Sequence, residues 1–290
     1  MAFIQKQKGI YDSTHAPTWC AGCGNFSIWL SLKKALEQLK VPPHQVLIVY
    51  GVGCSGNMAN TIHAYGWHSL HGRAVPTAVG AKLANQALTV IVAAGDGDGY
   101  GEGLSHFIHA IRGNVDITYL VHNNSVYGLT TGQAAPTASR GYKAKSTPEG
   151  IIEEPINPIS LALASDASFV ARGFSGKADQ LVDLIKRGIQ HPGFSLVDIF
   201  QPCVTFNKIN TFKFYFDSIY SLQDDPTYTA ADRKAALEKA LQKDKLPVGL
   251  FYQNTKRPSY ASELSYLEGK PLLTASGSRR NLQPLFKEFI

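Results

Sequence analysis

Apolar runs alternate with amphipathic segments along the chain as far as about residue 203. Four continuous apolar runs, each bounded by Gly, Pro or polar residues, predict buried strands at Val46–Tyr50, Leu88–Ala94, Ile117–Val121 and Ser195–Phe200, with a shorter one at Ser168–Ala171. Apolar residues at helical spacing predict helices at Phe26–Lys40, Arg73–Asn85, Gly101–Arg112, Ile159–Ser165 and Ala178–Gln190. This alternation predicts an α/β fold: a mostly parallel sheet with helices on both faces.

The pattern changes in the last third of the sequence. Residues 204–229 are aromatic and irregular, Ala230–Lys243 is a charged helical segment, and the remainder is polar with scattered aromatic residues. We therefore divide the chain into a domain over residues 1–205 and a C-terminal extension over residues 206–290. Because the extension lacks the residues for a core of its own, we expect it to pack on a partner subunit, where exposed aromatic clusters commonly lie.

Composition excludes several classes of protein. Hydrophobic residues make up 44% of the chain and charged residues 17%, which supports a folded core and not a disordered chain. The net charge of +6 is not concentrated in a Lys/Arg-rich run, so we expect no nucleic-acid partner. Because no signal-peptide or membrane-spanning pattern is present, we expect a cytoplasmic protein without a membrane partner. The four cysteines are then candidates for metal or redox chemistry.

Two polar motifs follow neighbouring predicted strands. Gly95–Gly101 has the sequence GDGDGYG, whose glycines allow backbone amides to approach a ligand and whose two aspartates, Asp96 and Asp98, offer oxygen ligands for a cation such as Mg²⁺. Asn124 stands at the end of the next predicted strand. Because ligands of open α/β sheets bind at the carboxyl ends of the strands, the pair predicts a metal site shared with a diphosphate.

The cysteines are Cys20 and Cys23 before a predicted helix, and Cys54 and Cys203 after predicted strands. Strand ends on one edge converge, so the four sulfurs can meet. One close pair with two distant single residues suits an iron–sulfur cluster better than a structural zinc site. The alternative is a CxxC redox motif with two buried core cysteines.

A glycine-rich turn and three nearby histidines are further candidates for ligand contacts. GVGCSG, from Gly51 to Gly56, fits the dinucleotide pattern, but residues 38–95 contain no Asp or Glu to hold a ribose. The turn therefore serves another ligand or Cys54 itself. Of the histidines nearby, His71 before a predicted helix is a candidate for contacting an anionic ligand, whereas His63 and His68 are expected to be ordinary surface or core residues.

Together these motifs resemble the β subunit of the 2-oxoacid:ferredoxin oxidoreductases, which use thiamine diphosphate and an iron–sulfur cluster. The resemblance covers roughly residues 15–205 and rests on WCAGCGN, GVGCSGN, LHGRA, GDGDGYGEG, HNNSVYGLTTGQ and QPC in family order. It implies one [4Fe–4S] cluster on Cys20, Cys23, Cys54 and Cys203, and Mg²⁺ on Asp96, Asn124 and the Val126 carbonyl. It further implies that the thiamine diphosphate contacts Val52, Gly53, Cys54, Ser55, His71, Gly97, Asp98, Gly128 and Leu129, with His71 also as a catalytic candidate.

The same resemblance implies oxidative decarboxylation of a 2-oxoacid to an acyl-CoA and CO₂, with coenzyme A as co-substrate and ferredoxin as electron acceptor. The pyrimidine-binding domain would lie on an α subunit, in a heterodimer or a dimer of heterodimers. Some relatives that favour 2-oxoglutarate have a basic residue in place of Asn57 and Lys in place of Thr131, which leaves the preferred 2-oxoacid open. A non-oxidative thiamine diphosphate decarboxylase or carboligase subunit, and a non-catalytic metal-binding module, are the alternatives.

Overall fold

The computed structural model describes residues 9–264, 272–274 and 283–288. The strands among them are β1 (Val46–Tyr50), β2 (Tyr65–His68), β3 (Thr89–Gly95), β4 (Thr118–Asn123), β5 (Val126–Tyr127), β6 (Gln133–Ala134), β7 (Phe169–Phe174), β8 (Ser195–Phe200), β9 (Ile219–Ser221) and β10 (Leu246–Gln253). The helices are α1 (Asn25–Gln38), α2 (Ala74–Ala84), α3 (Leu104–Gly113), α4 (Pro158–Ala164), α5 (Ala178–Gln190), α6 (Phe212–Ser218), α7 (Arg233–Ala240) and α8 (Gln283–Phe286).

Eight strands form one sheet in the order β2-β1-β3-β4-β8-β7-β10-β9. The six strands from β2 to β7 in this order run parallel, and β10 pairs antiparallel to β7. All five predicted strands are present, β1 and β8 with the predicted bounds. The carboxyl ends of β1, β3, β4 and β8 therefore lie side by side at one edge, where the candidate residues follow them.

Successive residues of the central strands face two different hydrophobic layers. On β1, Ile48 packs in a core with α1 and α5, whereas Val49 packs in a second core with α2, α3 and α4. This alternation follows from the period of two in a strand, and it explains why the strands are apolar throughout. The predicted α/β sheet with helices on both faces is confirmed. In the described part of the chain, no helix has the length and apolar character needed to cross a membrane.

The residues after 205 contribute to this sheet. β10 is buried and pairs with β7, and α7 packs against α4 and β10. Phe212–Gln253 therefore pack on this chain's own sheet, which the sequence did not predict, and packing of the extension on a partner subunit stays a prediction. Pro247 and Gly249 interrupt the apolar run of β10, and Gly249 takes a left-handed φ of +117° beside a bulge, so the strand was missed. Residues 265–271, 275–282 and 289–290 of the predicted extension lie outside the described residues.

Candidate functional site

A cavity of about 90 Å³ lies at the carboxyl edge of β1, β3, β4 and β8. It is lined by every residue predicted for the cofactor and the magnesium ion, namely Val52, Gly53, Cys54, Ser55, His71, Asp96, Gly97, Asp98, Asn124, Val126, Gly128 and Leu129. A larger cavity of about 860 Å³, between α2, α3 and residues 257–264, contains none of them. We place the candidate site in the smaller cavity because several buried polar groups converge there.

Asp96 lies at the floor of this cavity, directly after β3, and is 1% exposed. Its Oδ2 accepts hydrogen bonds from the Ser125 backbone N–H at 2.9 Å and from the Thr137 hydroxyl. Burial raises the pKa of the carboxyl to about 6, although these hydrogen bonds act in the opposite direction. In the described chain, no cationic side chain pairs with Asp96. A buried carboxylate held only by neutral donors favours a cation at this point.

Asn124 follows β4 and lines the same cavity as Asp96. Its Oδ1 accepts a hydrogen bond from the Val126 backbone N–H at 3.0 Å, and its Nδ2 donates to Gln201 Oε1 at 2.8 Å. The Asn124 backbone carbonyl accepts from Asn207 Nδ2 at 2.9 Å. Because a carbonyl oxygen has two lone pairs, Oδ1 keeps acceptor capacity for a metal ion beside Asp96.

Asp98 serves a different purpose from Asp96. Its Oδ1 accepts hydrogen bonds from the backbone N–H groups of Gly72, at 2.8 Å, and Val52, at 3.2 Å, and lies 2.7 Å from His71 Nδ1. Burial raises the pKa of Asp98, partly offset by the Gly72 hydrogen bond and the His71 ring. The carboxylate therefore joins the loops after β1 and β2 to the loop Gly97–Glu102, on which Asp98 itself lies. These contacts occupy Oδ1 within the chain.

The glycine-rich loop, Gly97–Glu102, is a π-helical turn packed against tyrosine side chains. A Cβ at Gly97 would lie 2.5 Å from the Tyr127 ring, and one at Gly99 would collide with the Tyr119 hydroxyl. A Cβ at Gly101 would collide with the Tyr127 hydroxyl. These close approaches require glycine, and Gly97 and Asp98 of the loop line the cavity.

Two buried polar atoms of the cavity lining have no hydrogen-bond partner in the described chain: Ser55 Oγ and His122 Nε2. His122 Nδ1 lies 2.7 Å from Asn25 Oδ1, and burial lowers the pKa of the ring to about 3, so the imidazole is neutral. With Nδ1 protonated to donate to Asn25, Nε2 is an acceptor. Buried polar groups are rarely left unpaired, so these atoms fit a cavity that a polar cofactor fills.

The four cysteines line a second cavity, of about 160 Å³, that adjoins the first. A Cβ at Gly128 would lie 3.5 Å from Cys54 Sγ and 3.8 Å from Cys203 Sγ, so both sulfurs reach one point. Burial, with smaller contributions from the neighbouring thiols, raises the pKa of Cys23 and Cys54 to about 11. Thiols so placed ionise when a cationic group binds them.

The space between the four thiols determines which kind of metal group they could bind. Among the described residues, no three His, Cys, Asp or Glu side chains are grouped as ligands of one metal ion. The four thiols instead surround a cavity, which Asn25 Nδ2, a buried donor without a partner in the described chain, also lines. A polynuclear cluster bound by four thiolates needs both the space and the donors.

Sequence reasoning missed several residues of the site. Gln201 contacts Asn124 and lines both cavities, and it directly follows β8, so the rule that located Asp96 and Asn124 also applies to it. Thr137 belongs to no motif, and only the folded chain brings it to Asp96. His122 is the first residue of the HNNSVYGLTTGQ motif, but its contact with Asn25 is visible only in the folded chain. His63 and His68 are exposed and line neither cavity, as expected.

Comparison with known proteins agrees with this geometry. Residues 51–199 match the family model of the thiamine pyrophosphate enzyme C-terminal TPP binding domain. Residues 203–269, most of which lie beyond the stretch that carries the resemblance in the sequence, match the C-terminal model of the pyruvate ferredoxin oxidoreductase beta subunit. A solved 2-oxoglutarate:ferredoxin oxidoreductase from Magnetococcus marinus, with 2-oxoglutarate, coenzyme A and succinyl-CoA bound, is 35% identical with a TM-score of 0.88, covering 96% of this chain and 94% of that one.

Curated relatives are similar over most of their length. The 2-oxoacid:ferredoxin oxidoreductase subunit beta of Saccharolobus solfataricus is 44% identical over 87% of this chain and 88% of the relative. The 2-oxoglutarate synthase subunit of Methanocaldococcus jannaschii is 34% identical over 86% of this chain and 92% of the relative. On the strength of these matches and the site geometry, the chain belongs to the β-subunit family of the 2-oxoacid:ferredoxin oxidoreductases.

Proposed function

We propose that this chain is the thiamine diphosphate-binding β subunit of an enzyme that converts a 2-oxoacid and coenzyme A to an acyl-CoA and CO₂, with ferredoxin as electron acceptor. The observation that carries the proposal is the shared wall of the two cavities. We call the cavity that Asp96 lines the polar cavity and the cavity that the four cysteines line the four-thiol cavity. The two share five lining residues: Cys54, Asn124, Gly128, Leu129 and Gln201. A redox cluster in one cavity would therefore be a direct neighbour of a cofactor in the other.

The polar cavity would hold the diphosphate through Mg²⁺. Asp96, the Asn124 side-chain oxygen and the Val126 carbonyl are the proposed ligands, an oxygen set of the kind that Mg²⁺ prefers. The backbone amides of the glycine-rich loop, together with the Ser55 hydroxyl, would donate hydrogen bonds to phosphate oxygens. Bound thiamine diphosphate supplies the electron sink that cleavage of the bond next to a 2-oxoacid carbonyl requires.

His71 is the residue of this chain that we assign to proton handling and to contact with an anion. Its Nδ1 faces Asp98 at 2.7 Å, and 40% of its side chain is exposed at the cavity mouth. Asp98 fixes the ring orientation, as a carboxylate does for a catalytic histidine, and leaves Nε2 for the substrate side. The four thiols would hold one [4Fe–4S] cluster, which supplies a one-electron acceptor beside the thiamine site.

An α subunit with the pyrimidine-binding domain would complete the active site. Besides the short β5–β6 pair, the described chain contains one eight-stranded sheet with one series of parallel strands, which accounts for the diphosphate half alone. Phe214 and Phe216 on α6 are exposed, although Tyr215 between them is buried against the sheet. Aromatic side chains exposed in this way favour a docking surface, consistent with a heterodimer or a dimer of heterodimers.

The decisive experiment compares the chain alone with the chain co-expressed with its α subunit, both purified without oxygen. We expect brown, reductant-bleachable absorbance in the complex, and oxidation of a 2-oxoacid only when both subunits and coenzyme A are present. An isolated β chain that oxidises 2-oxoacids at enzymatic rates would overturn the subunit assignment.

The same preparation separates the proposed reaction from the non-oxidative alternative. CO₂ release from the 2-oxoacid without reduction of a viologen or ferredoxin would favour a decarboxylase or carboligase. A panel of 2-oxoacids in this assay identifies the substrate. Asn57, where some relatives have a basic residue, lies exposed beside the four-thiol cavity. Because asparagine gives a second carboxylate no charged partner, we expect binding of a dicarboxylic 2-oxoacid to depend on a cation from the α subunit.

A further inference from the structure

Gln201 joins the polar cavity to the four-thiol cavity through its side-chain amide. The residue is fully buried directly after β8. Its Oε1 accepts a hydrogen bond from Asn124 Nδ2 at 2.8 Å. Its Nε2 donates to the Pro202 carbonyl at 2.9 Å and to Cys23 Sγ at 3.4 Å. One amide therefore contacts a proposed magnesium ligand on one side and a proposed cluster ligand on the other.

The orientation of both amides in this chain of hydrogen bonds is fixed by groups that have a single role. The Pro202 carbonyl only accepts, so the nitrogen of Gln201 faces it and the oxygen faces Asn124. The Val126 backbone N–H only donates, so the oxygen of Asn124 faces it and the nitrogen faces Gln201. Exchanging the oxygen and nitrogen of either side-chain amide would therefore break a hydrogen bond to Pro202 or Val126.

We propose that Gln201 is a positioning residue that couples the two sites: it orients Asn124 toward the metal and donates a hydrogen bond to the Cys23 thiolate of the cluster. This inference rests on the proposed thiamine and cluster sites. Hydrogen bonds to cluster sulfurs stabilise the reduced, more negative state and so raise the reduction potential. Groups that orient metal ligands likewise strengthen metal binding.

Gly24 makes the close approach of Gln201 possible. A Cβ at Gly24 would lie 3.0 Å from Gln201 Cγ and 3.3 Å from Nε2. The same Cβ would lie 2.7 Å from the hydroxyl of Ser175, which is buried beside Gln201 and makes no hydrogen bond in the described chain. Ser175 is therefore a matched site for a control, because it lies in the same neighbourhood without contacting Asn124 or Cys23.

The first test uses Gln201→Met in the complete complex, since Met fills a similar volume without the amide. We expect iron to be retained, the cluster potential to become more negative in an EPR-monitored titration, and Mg²⁺-dependent thiamine diphosphate affinity to fall about three- to tenfold. Ser175→Ala should leave both quantities unchanged. A Gln201→Met complex with full iron content, an unchanged potential and unchanged affinity would overturn the proposal.

A second measurement uses the unaltered complex and does not depend on how the variant folds. Among the described residues, Gln201 is the one glutamine that lines the four-thiol cavity. Labelling glutamine side-chain amides with ¹⁵N should give a ¹⁵N coupling in the pulsed EPR spectrum of the reduced cluster. Absence of that coupling in an iron-loaded complex would refute the hydrogen bond, whereas absence of iron or of thiamine diphosphate binding would refute the proposed function instead.

Discussion

Asp98 Oδ1 and His71 Nδ1 lie 2.7 Å apart, although the two residues belong to different loops. The same oxygen also accepts from the backbone N–H groups of Gly72 and Val52. A single carboxylate oxygen therefore sets the positions of three loops around the candidate site. Its role is structural as much as chemical, because the loops that it joins form the proposed cofactor surface.

Replacing Asp98 tests this relationship. Asp98→Ala removes the shared acceptor, so the loops after β1 and β2 lose their link to the glycine-rich loop. We expect thiamine diphosphate affinity, measured by calorimetry in the complex, to fall at least about tenfold. Asp179→Ala, which removes a fully exposed carboxylate on α5, should leave the affinity unchanged. Equal affinities in the two variants would contradict the linking role.

Asp96→Asn should have opposite effects on binding and on stability. Losing the charge should weaken Mg²⁺-dependent thiamine diphosphate binding about a hundredfold or more. Burial raises the pKa of Asp96 from 3.8 to about 6, so the metal-free carboxylate is still ionised at pH 7. The buried charge destabilises the folded state, and the neutral amide of the variant removes that cost. We therefore expect the free energy of unfolding of the cofactor-free protein to rise by roughly 3 kcal/mol. Urea unfolding and calorimetry check both signs, and a variant that binds normally would exclude Asp96 as a ligand.

Cys203→Ala should separate the cluster from the thiamine site. Because Cys203 lines only the four-thiol cavity, we expect iron content and acceptor reduction to be lost while thiamine diphosphate affinity stays within about threefold of the parent. Iron analysis and calorimetry on the same sample measure both. Full iron content with intact electron transfer would exclude Cys203 as a ligand.

Acid should destabilise the fold through its buried histidines. Burial lowers the pKa of His191 to about 4, so between pH 6.5 and 4 the unfolded chain binds a proton that the folded chain does not. Stability is thus lost as the pH falls through this window, by about 2 kcal/mol at pH 5 for this group. In His191→Gln, whose amide can still donate to Ser168, the difference in unfolding free energy between pH 7 and pH 5 should shrink by that amount. An unchanged difference would contradict the assignment.

The sequence predicted the central sheet well because its strands are buried on both faces and are therefore apolar without interruption, as in β1 and β8. It failed for β10, where Pro247 and Gly249 break the run, and for β2, whose four residues are all exposed at the edge. Short or interrupted strands owe their conformation to their neighbours in the sheet, and that information is not local.

The candidate site likewise contains some residues that the local sequence indicates and others that it does not. Residues that directly follow a strand, such as Asp96 and Asn124, were found from the rule that parallel strands share a carboxyl edge. Gln201 follows β8 in the same way, but its contacts with Cys23 and Asn124 emerge only when α1, β4 and β8 are placed together. Thr137, 41 residues from the Asp96 that it contacts, had no local signal at all.

The packing of Gly97, Gly99 and Gly101 against Tyr119 and Tyr127 has a consequence for the mutational tolerance of this loop. A single methyl group at any of the three positions would meet a tyrosine ring or hydroxyl. These positions should therefore reject alanine in a selection for folded protein alone, with no requirement for catalysis. Intolerance at the glycines would then report steric exclusion, whereas intolerance at Asp96 that appears only under selection for activity would report chemistry.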